Sequence, residues 1–307
     1  IYTMLQHFRN MGQVGEQSYW DYLPSVSVKW TPTKNMNVRL SYYRSINRPG
    51  FYEIVPYQIQ GEEYQEKGNP NLKRARIDNF DLRWEWFPSA NEQILAGVFY
   101  KYLKDPIEQV FVSSDGRIGA GTDAYYAPDN LGNARNMGFE IDVIKYIRHF
   151  GVKANYTYTH SKITTSKREY REGSAEYKTG VTQSRPLVNQ APHTANISFL
   201  YKDTEHGWNA QLATSFTGEK LVLVSPFKDA DQWEKAAFTL DLSAEKNFKK
   251  GFSLFLKANN LLDSKRERYL KTVNASNLEY EGQTSDKTIV GTYRYGRTFL
   301  VGVRYKL

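Results

Sequence analysis

The sequence contains no cysteine, and this absence removes several classes of protein at once. Without thiols the chain cannot form a disulfide framework, a thiolate metal site or a cysteine nucleophile. Its 5 histidines show no metal-ligand spacing, and neither a G-x-S-x-G nor an H-E-x-x-H motif is present. We therefore expect no catalytic residue, no metal site and no cofactor, and we do not predict an enzyme. Asp229 and Asp231 form a two-carboxylate loop, an arrangement that is more often hydrated than bound to Ca²⁺.

Long apolar runs are also missing from the sequence. No stretch approaches the roughly 18 to 20 apolar residues that a membrane-spanning helix needs, so insertion into a membrane as a helix is excluded. The mean hydropathy is −0.64, although 15% of the residues are aromatic. A soluble globule with so many rings is usually less polar. A transmembrane β-barrel has rings on its lipid face and polar residues facing its lumen, which fits both values.

The formal net charge is +8, but the Lys and Arg residues are scattered along the chain rather than clustered. Scattered charge is a weak indication of nucleic-acid binding, and no nucleic-acid partner is expected. Basic residues at strand ends and in loops, next to anionic lipid headgroups, explain the charge equally well. Outer-membrane lipid is therefore an expected partner.

Apolar and polar residues alternate over segments of about ten residues, which predicts strands with one apolar and one polar face. Between residues 77 and 87, one face carries Phe80, Leu82, Trp84 and Trp86, and the other carries Asn79, Asp81, Arg83 and Glu85. The same alternation is found at 23–32, 35–44, 92–104, 137–143, 152–158, 195–201, 208–216, 238–242, 252–258 and 299–307. With residues 1–9 counted as a further strand, about twelve strands are predicted.

The predicted connections are alternately short and long, as in outer-membrane barrels with short periplasmic turns and longer extracellular loops. The short ones are 31–35, 88–91, 146–151, 202–207 and 247–251. The long ones cover roughly 10–22, 47–76, 105–135, 164–189, 218–235 and 263–288. This pattern predicts an all-β, antiparallel transmembrane barrel. It leaves open a complete barrel of about twelve strands or the last twelve strands of a larger one.

A soluble β-sandwich or propeller also has alternating strands, but its strands average about 5 to 6 residues. The predicted strands are longer. They carry charges such as Arg83, Glu85 and Lys257 opposite the rings, and the sequence has no helical pattern to cover a second face. The lipid-facing arrangement is therefore favoured.

Several short motifs resemble those of one known family. They are Ser45-Ile46-Asn47-Arg48-Pro49, Gly68-Asn69-Pro70-Asn71-Leu72-Lys73, Asp78-Asn79-Phe80-Asp81-Leu82, Trp84-Glu85-Trp86-Phe87-Pro88, Gly97-Val98-Phe99-Tyr100-Lys101, Asn136-Met137-Gly138-Phe139-Glu140, Asn259-Asn260-Leu261-Leu262-Asp263 and the closing segment from Gly296-Arg297 to Tyr305. In this order they resemble the barrel of TonB-dependent receptors, particularly the Bacteroidetes-type outer-membrane β-barrel group. The chain departs from the family at Leu307, where an aromatic residue is usual.

The resemblance implies a barrel of about 22 strands with an N-terminal plug domain and a segment that contacts TonB. Residues 1–307 would then be a single β-barrel portion, the C-terminal half, with the plug and the first strands outside this sequence. The implied function is TonB-dependent active import of a scarce nutrient across the outer membrane of a Gram-negative bacterium. The TonB complex, the protein's own plug domain and a surface lipoprotein are the implied partners.

Candidate site residues fall into two groups. The first lies where a strand enters the longest early loop and could stack on or pair with an anionic or sugar-like ligand: Tyr43, Arg44, Arg48, Tyr52, Tyr57 and Gln58. The second is predicted to face the lumen or the plug: Arg39, Asp81, Arg83, Glu85, Glu140, Asp142, Lys153 and Asp241. Many of the second group are expected to be wall charges in cross-strand pairs. The cargo is not identified by the sequence.

Two other functions remain open at this stage. One is a passive porin-like channel of about twelve strands, which needs no plug. The other is a non-catalytic outer-membrane protein that binds a partner at the cell surface.

Overall fold

The computed structural model describes residues 18–60, 65–112, 125–170, 177–248, 251–271 and 288–305. In these ranges most residues belong to β-strands, and the helix α1 (Phe51–Ile54) has a single turn. No helix in the described ranges is long and apolar enough to cross a membrane.

The strands are β1 (Ser25–Thr33), β2 (Met36–Asn47), β3 (Gln58–Gln60), β4 (Gln65–Lys67), β5 (Ala75–Ser89), β6 (Glu92–Lys104), β7 (Ile107–Val112), β8 (Tyr125–Asn130), β9 (Ala134–Ile147), β10 (Phe150–Tyr170), β11 (Tyr177–Arg185), β12 (His193–Asp203), β13 (Trp208–Thr217), β14 (Lys220–Leu223), β15 (Gln232–Glu234), β16 (Ala237–Asn247), β17 (Phe252–Asn259), β18 (Lys265–Leu270), β19 (Thr288–Arg294) and β20 (Thr298–Tyr305).

The largest sheet has 12 strands in the order β1-β2-β5-β6-β9-β10-β12-β13-β16-β17-β20, with β11 paired to residues 163–170 of β10. Its neighbouring strands are antiparallel. The strands predicted from residue 23 onward are confirmed, whereas the strand predicted at 1–9 lies outside the described residues. In the described ranges the sheet is open, with β1 and β20 at its two edges.

The five predicted short connections join the hairpins β1–β2, β5–β6, β9–β10, β12–β13 and β16–β17, all at one end of the sheet. One of these turns requires glycine, at Gly207 after β12. Its φ is +71°, and a Cβ there would lie 2.5 Å from the carbonyl oxygen of Asn247. Any larger residue would therefore strain this turn.

One face of the large sheet is apolar and exposed across its whole width. Leu40, Phe199 and Val303, on widely separated strands, are 58%, 57% and 68% exposed. On β9 this face extends from Met137 to Ile147, with Lys145 as its one charged residue, which is about 34 Å along the strand at roughly 3.4 Å per residue. At the usual barrel tilt of about 40°, that length spans about 26 Å, close to the apolar band of roughly 25 Å in outer-membrane barrels.

The long connections contain more structure than the sequence analysis predicted. Their described parts, here called the outer cap, include two 4-stranded sheets, β3-β4-β8-β7 and β14-β15-β18-β19. Buried apolar side chains form two clusters within or next to them: Val110, Leu221 and Val224, and Ala134, Ile163 and Leu187. The sequence analysis predicted long connections here but not the strands within them, because strands of 3 to 7 residues are too short to show a clear alternation.

Leu40→Arg should lower the free energy of unfolding by about 2–4 kcal/mol, since it puts a charge on the apolar face near the middle of the band. Ser41→Arg, one residue further along the same strand, points to the opposite face and should have a much smaller effect. Urea unfolding of the full-length protein in lipid vesicles measures both. Equal losses in the two variants would contradict the assignment of the faces.

Candidate functional site

The face opposite the apolar band is polar, and its charges are paired between strands. Arg39 Nε lies 2.9 Å from a carboxylate oxygen of Glu85, and the side-chain amide of Asn37 donates to the same carboxylate at 3.1 Å. Arg83 on β5 pairs with Glu140 on β9, across the intervening strand β6. Gly97 is the β6 residue between them in register, and its missing side chain leaves room for this pair.

A groove of about 660 Å³ on the polar face is lined by Arg39, Arg83 and Glu140 of these residues. That volume lies in the range of small-molecule sites, which is roughly 300–1,000 Å³. Besides the paired charges, the groove is lined by Ser27, Ser41, Tyr43, Asp81, Phe99, Lys101 and Thr157. The groove therefore offers charged and hydroxyl groups together with the rings of Tyr43 and Phe99.

The eight predicted lumen residues all lie on this polar face. Four form the pairs Arg39–Glu85 and Arg83–Glu140. Asp142 accepts a hydrogen bond from Gln93 Nε2 at 2.7 Å, and Asp241 accepts one from the backbone N–H of Asn260 at 2.8 Å. Asp81 lines the groove, and Lys153 is exposed on β10. Their contact with a plug domain stays a prediction.

The six predicted ligand-binding residues do not form one cluster. Tyr43 faces the groove, whereas Arg44 lies on the outward face of β2. Arg44 Nε is 2.8 Å from Asp78, and the hydroxyl of Tyr42 donates to the same carboxylate at 2.9 Å. Arg44 therefore already has a partner on the sheet. The other four residues lie in the outer cap, after β2.

The segment after β2 is folded closely on itself. The backbone N–H of Asn69 donates to the carbonyl of Glu53 at 2.7 Å, and that of Gly68 donates to Tyr57 at 3.3 Å. A Cβ on Gly68 would lie 1.9 Å from the carbonyl oxygen of Val55, so this approach requires glycine. The Gly68-Asn69-Pro70 motif of the sequence analysis thus closes this segment.

This folded segment presents several of the predicted ligand-binding residues to solvent. Tyr52 is 76% exposed, Gln58 is exposed and donates to Gln65 at 2.8 Å, and Arg48 lies 5.8 Å from the ring centroid of Tyr19. Tyr57 is half-buried. Burial raises its pKa, and the nearby carboxylates of Glu66 and Glu53 act in the same direction. The Tyr57 hydroxyl is therefore a neutral hydrogen-bond donor at neutral pH.

Two buried ion pairs join three parts of the outer cap. Lys167 Nζ on β10 lies 2.5 Å from Asp231, and the two side chains are 1% and 4% exposed. Arg185 on β11 contacts both carboxylate oxygens of Glu108, at 3.3 and 2.9 Å. The β10–β11 hairpin is thus tied to the connection after β6 and to the connection after β13. Isolated backbone bridges, Val110 to Val224 among them, join the same segments.

The buried carboxylates have further partners. The backbone N–H of Ser225 donates to Asp231 at 2.8 Å, and that of Val188 donates to Glu108 at 2.7 Å. Burial lowers the pKa of Lys167, while the adjacent Asp231 carboxylate acts in the opposite direction. Loss of either charge would leave its partner buried without compensation.

Sequence reasoning missed these pairs because their members are 64 and 77 residues apart in the chain. The one feature of the sequence that pointed to this region was the two-carboxylate loop of Asp229 and Asp231. Asp231 is not hydrated as that motif suggested, because it is buried against Lys167. Asp229 accepts a hydrogen bond from Gln183 Nε2 at 2.8 Å. In the part of the chain that the structure describes, no group of three or more His, Asp or Glu side chains could hold a metal ion.

The long antiparallel strands, the apolar outer face, the charged inner face and the unequal connections define part of a transmembrane β-barrel. The family model for the TonB dependent receptor-like β-barrel matches residues 5–261, and the chain belongs to this family. The resemblance noted in the sequence is confirmed. No curated protein gives a significant sequence match.

Solved structures of similar fold include a variant of the ferric enterobactin receptor PfeA from Pseudomonas aeruginosa, with a TM-score of 0.57 and 18% identity over 92% of this chain and 40% of that chain. The siderophore receptor PirA from Acinetobacter baumannii has a TM-score of 0.53 and 16% identity, over 79% of this chain and 37% of that chain. The copper transporter OprC has a TM-score of 0.59 and 16% identity, over 93% of this chain and 39% of that chain. At these identities the likeness shows the fold, and this chain spans about two fifths of the length of these proteins.

Lys167→Met should lower the free energy of opening of the outer cap by about 3–5 kcal/mol, because it leaves Asp231 charged and buried without its partner. The double variant Lys167→Met/Asp231→Leu removes both charges and should recover most of this loss. Native-state hydrogen exchange at the backbone amide of Ser225 measures the effect. A double variant as unstable as the single one would show that the ion pair is not the cause.

Proposed function

We propose that this chain is the C-terminal part of the barrel of a receptor in the bacterial outer membrane, which imports a scarce nutrient with energy supplied through TonB. Membership of the TonB-dependent receptor family supports the class of protein. In this proposal the short turns face the periplasm and the outer cap faces the cell exterior. The rest of the barrel, the plug domain and the segment that contacts TonB belong to parts of the protein outside this sequence.

The observation that carries the proposal is the division of the sheet into two faces. Exposed apolar side chains on one face suit lipid, and paired charges such as Arg39–Glu85 on the other suit a polar interior. A soluble sheet protein would instead bury its apolar face in a core. The buried apolar clusters of this chain lie in or beside the outer cap.

Ligand capture is assigned to the segment after β2. Arg48, Tyr52 and Gln58 are exposed there, and Tyr57 supplies a neutral donor. Aromatic faces stack on planar or sugar-like groups, and an arginine pairs with carboxylate or phosphate groups. Tyr43 is assigned to the next stage, because it lies on the wall of the groove below.

The proposal includes a plug domain that contacts the polar face, at the eight lumen residues described above. It also includes a surface lipoprotein as a partner that could bind to the outer cap. The chain is assigned no catalytic role. Solved structures of similar fold are named as receptors for ferric enterobactin and siderophores and as a copper transporter. These names support metal chelates as the first cargo to test.

Deletion of the gene should abolish uptake of one member of a radiolabelled panel consisting of ferric enterobactin, cobalamin, an oligosaccharide and a peptide. Complementation should restore uptake, and a proton uncoupler should stop it, because the transport energy comes from the inner-membrane gradient. Whole-cell uptake is the measurement.

The same experiment separates the two other functions. Uptake that continues after uncoupling, together with ion conductance of the purified protein in a planar bilayer, would indicate a passive channel. Binding of the cargo to cells with no uptake would indicate a surface-binding protein. Either result would overturn the import proposal.

Arg48→Gln and Tyr52→Ala should each raise the KM for uptake of the cargo roughly tenfold and leave the maximal rate nearly unchanged, since they act on capture rather than on translocation. Lys34→Gln, in the turn at the opposite end of the sheet, is the control for loss of a positive charge. A fall in maximal rate at constant KM would argue against a role in capture.

A further inference from the structure

Residues that lie opposite each other on successive strands form rows across the outward face of the large sheet. One row, at the outer limit of the apolar band, consists of Tyr42, Phe80, Tyr100, Met137 and His160. The next row towards the outer cap consists of Arg44, Asp78, Tyr102, Arg135 and Lys162. Beyond it, Arg76 and Lys104 are register partners. An aromatic row is thus followed directly by basic residues on the same face.

Two cross-strand pairs in this region carry like charges. Arg135 on β9 lies directly opposite Lys162 on β10, and Arg76 on β5 lies directly opposite Lys104 on β6. All four side chains are exposed. Directly opposed side chains in an antiparallel pair are about 5 Å apart at Cβ, and like charges there destabilise the sheet. We call these four residues the outer basic patch.

Two acids next to the patch already have basic partners. Asp78 is bound by Arg44 at 2.8 Å. Asp21 is bound by Arg74 at 2.6 Å, and its distance to Arg76 is 3.7 Å. In the described ranges, Lys104, Arg135 and Lys162 form no ion pair with an acid. The repulsion between Arg135 and Lys162 is therefore uncompensated by the described part of the protein.

Several other charges of the large sheet have partners, although Lys29 lies directly opposite Arg39, which is itself paired with Glu85. On the polar face, Arg39 and Arg83 have acidic partners on other strands. At the short-turn end of the outward face, Lys145 pairs with Glu92 at 2.9 Å. Lys246, at the same end, donates to the carbonyl of His206 and lies 4.7 Å from the ring centroid of Trp208. The opposed pair Arg135–Lys162 thus has no acidic partner in the described ranges, whereas Arg76 of the other pair lies 3.7 Å from Asp21.

We infer that the outer basic patch binds the phosphate of an anionic lipid headgroup. This inference rests on the membrane placement in the proposed function. A phosphate oxygen can accept hydrogen bonds from Arg135 and Lys162 together, which turns the repulsion between them into a shared contact. Tyr102 on β6 is the register partner of Arg135 on β9, and its side chain carries a further hydroxyl group. The acyl chains of the same lipid would then lie on the apolar band below.

The position of the patch favours a lipid over free phosphate in solution. It faces outward, away from the groove, and it lies directly beyond the row of Tyr100 and Met137, where the apolar band gives way to headgroups. Anionic headgroups attract basic residues at the membrane surface with an energy that corresponds to about fivefold in affinity for each Lys or Arg.

The test uses the full-length receptor in nanodiscs of neutral phosphatidylcholine. Native mass spectrometry measures retention of lipid A with both phosphates, of dephosphorylated lipid A and, in a separate arm, of inorganic phosphate. The wild type should retain the phosphorylated lipid preferentially. Arg135→Gln/Lys162→Gln should weaken this retention on the order of 25-fold. Lys145→Gln/Lys246→Gln, which removes two outward cations that have partners, should leave it unchanged.

Arg135→Glu separates binding from folding. It puts a carboxylate directly opposite Lys162, so the thermal midpoint of the receptor in neutral lipid should rise while retention of phosphorylated lipid A is lost. Equal retention of the two lipid A forms by the wild type, or unchanged retention in Arg135→Gln/Lys162→Gln, would overturn the inference. Binding of inorganic phosphate as tight as that of lipid A would also overturn it, because the source would then be free phosphate.

Failure of this inference differs from failure of the proposed function. A receptor that inserts into nanodiscs and imports its cargo, but does not discriminate between the lipid A forms, would disprove the lipid site alone. A protein that remains in solution without lipid or detergent would disprove the membrane placement on which both depend.

Discussion

Backbone hydrogen bonding between neighbouring strands is the constraint on which the rest of this structure depends. Hydrocarbon offers no water to an unpaired N–H or C=O group, so a membrane-spanning sheet must pair its backbone groups with adjacent strands. Between β9 and β10 the pairing runs without a shift from Ile147–Phe150 to Ala134–Ile163. Once this register is fixed, alternate side chains are assigned to opposite faces. A slip of one residue would move Phe139 to the lumen and Glu140 into lipid. In the described ranges β1 and β20 lie at the edges of the sheet, and within a membrane both would need partner strands for the same reason.

The parts of the fold that follow from this constraint could be predicted from the sequence. Alternation such as Phe80-Asp81-Leu82-Arg83 extends through whole strands, because each face has one solvent over the full thickness of the membrane. The strands of the large sheet other than β11, the short turns and the polar face of the wall were therefore predictable. The strands of the outer cap were not, because each is short and its burial depends on segments distant in the chain. Arg44 was predicted as a ligand-binding residue from its type alone. The alternation of side chains along β2 puts it on the outward face, beside Asp78.

Charged residues are stabilised in different ways in the regions of this molecule. On the lumen wall, where water is expected, pairs such as Arg83–Glu140 are exposed, and each contributes little to stability. In the outer cap, Lys167 and Asp231 are buried, so their pairing is required once the segments have folded together. At the outer rim of the apolar band, like charges face each other. For Arg135 and Lys162 the described protein supplies no acid, and there we infer that a component of the membrane provides the counter-charge.

The buried pairs of the outer cap have a consequence for how such receptors can be re-engineered. Extracellular loops of a barrel are often treated as separate modules that can be exchanged one at a time. Here the β10–β11 hairpin, which carries Lys167 and Arg185, supports two other segments through Asp231 and Glu108. A loop transplanted alone from a related receptor would leave one of these basic groups enclosed without its acid. A graft of any one of these three segments would therefore require all three to be moved as a single unit.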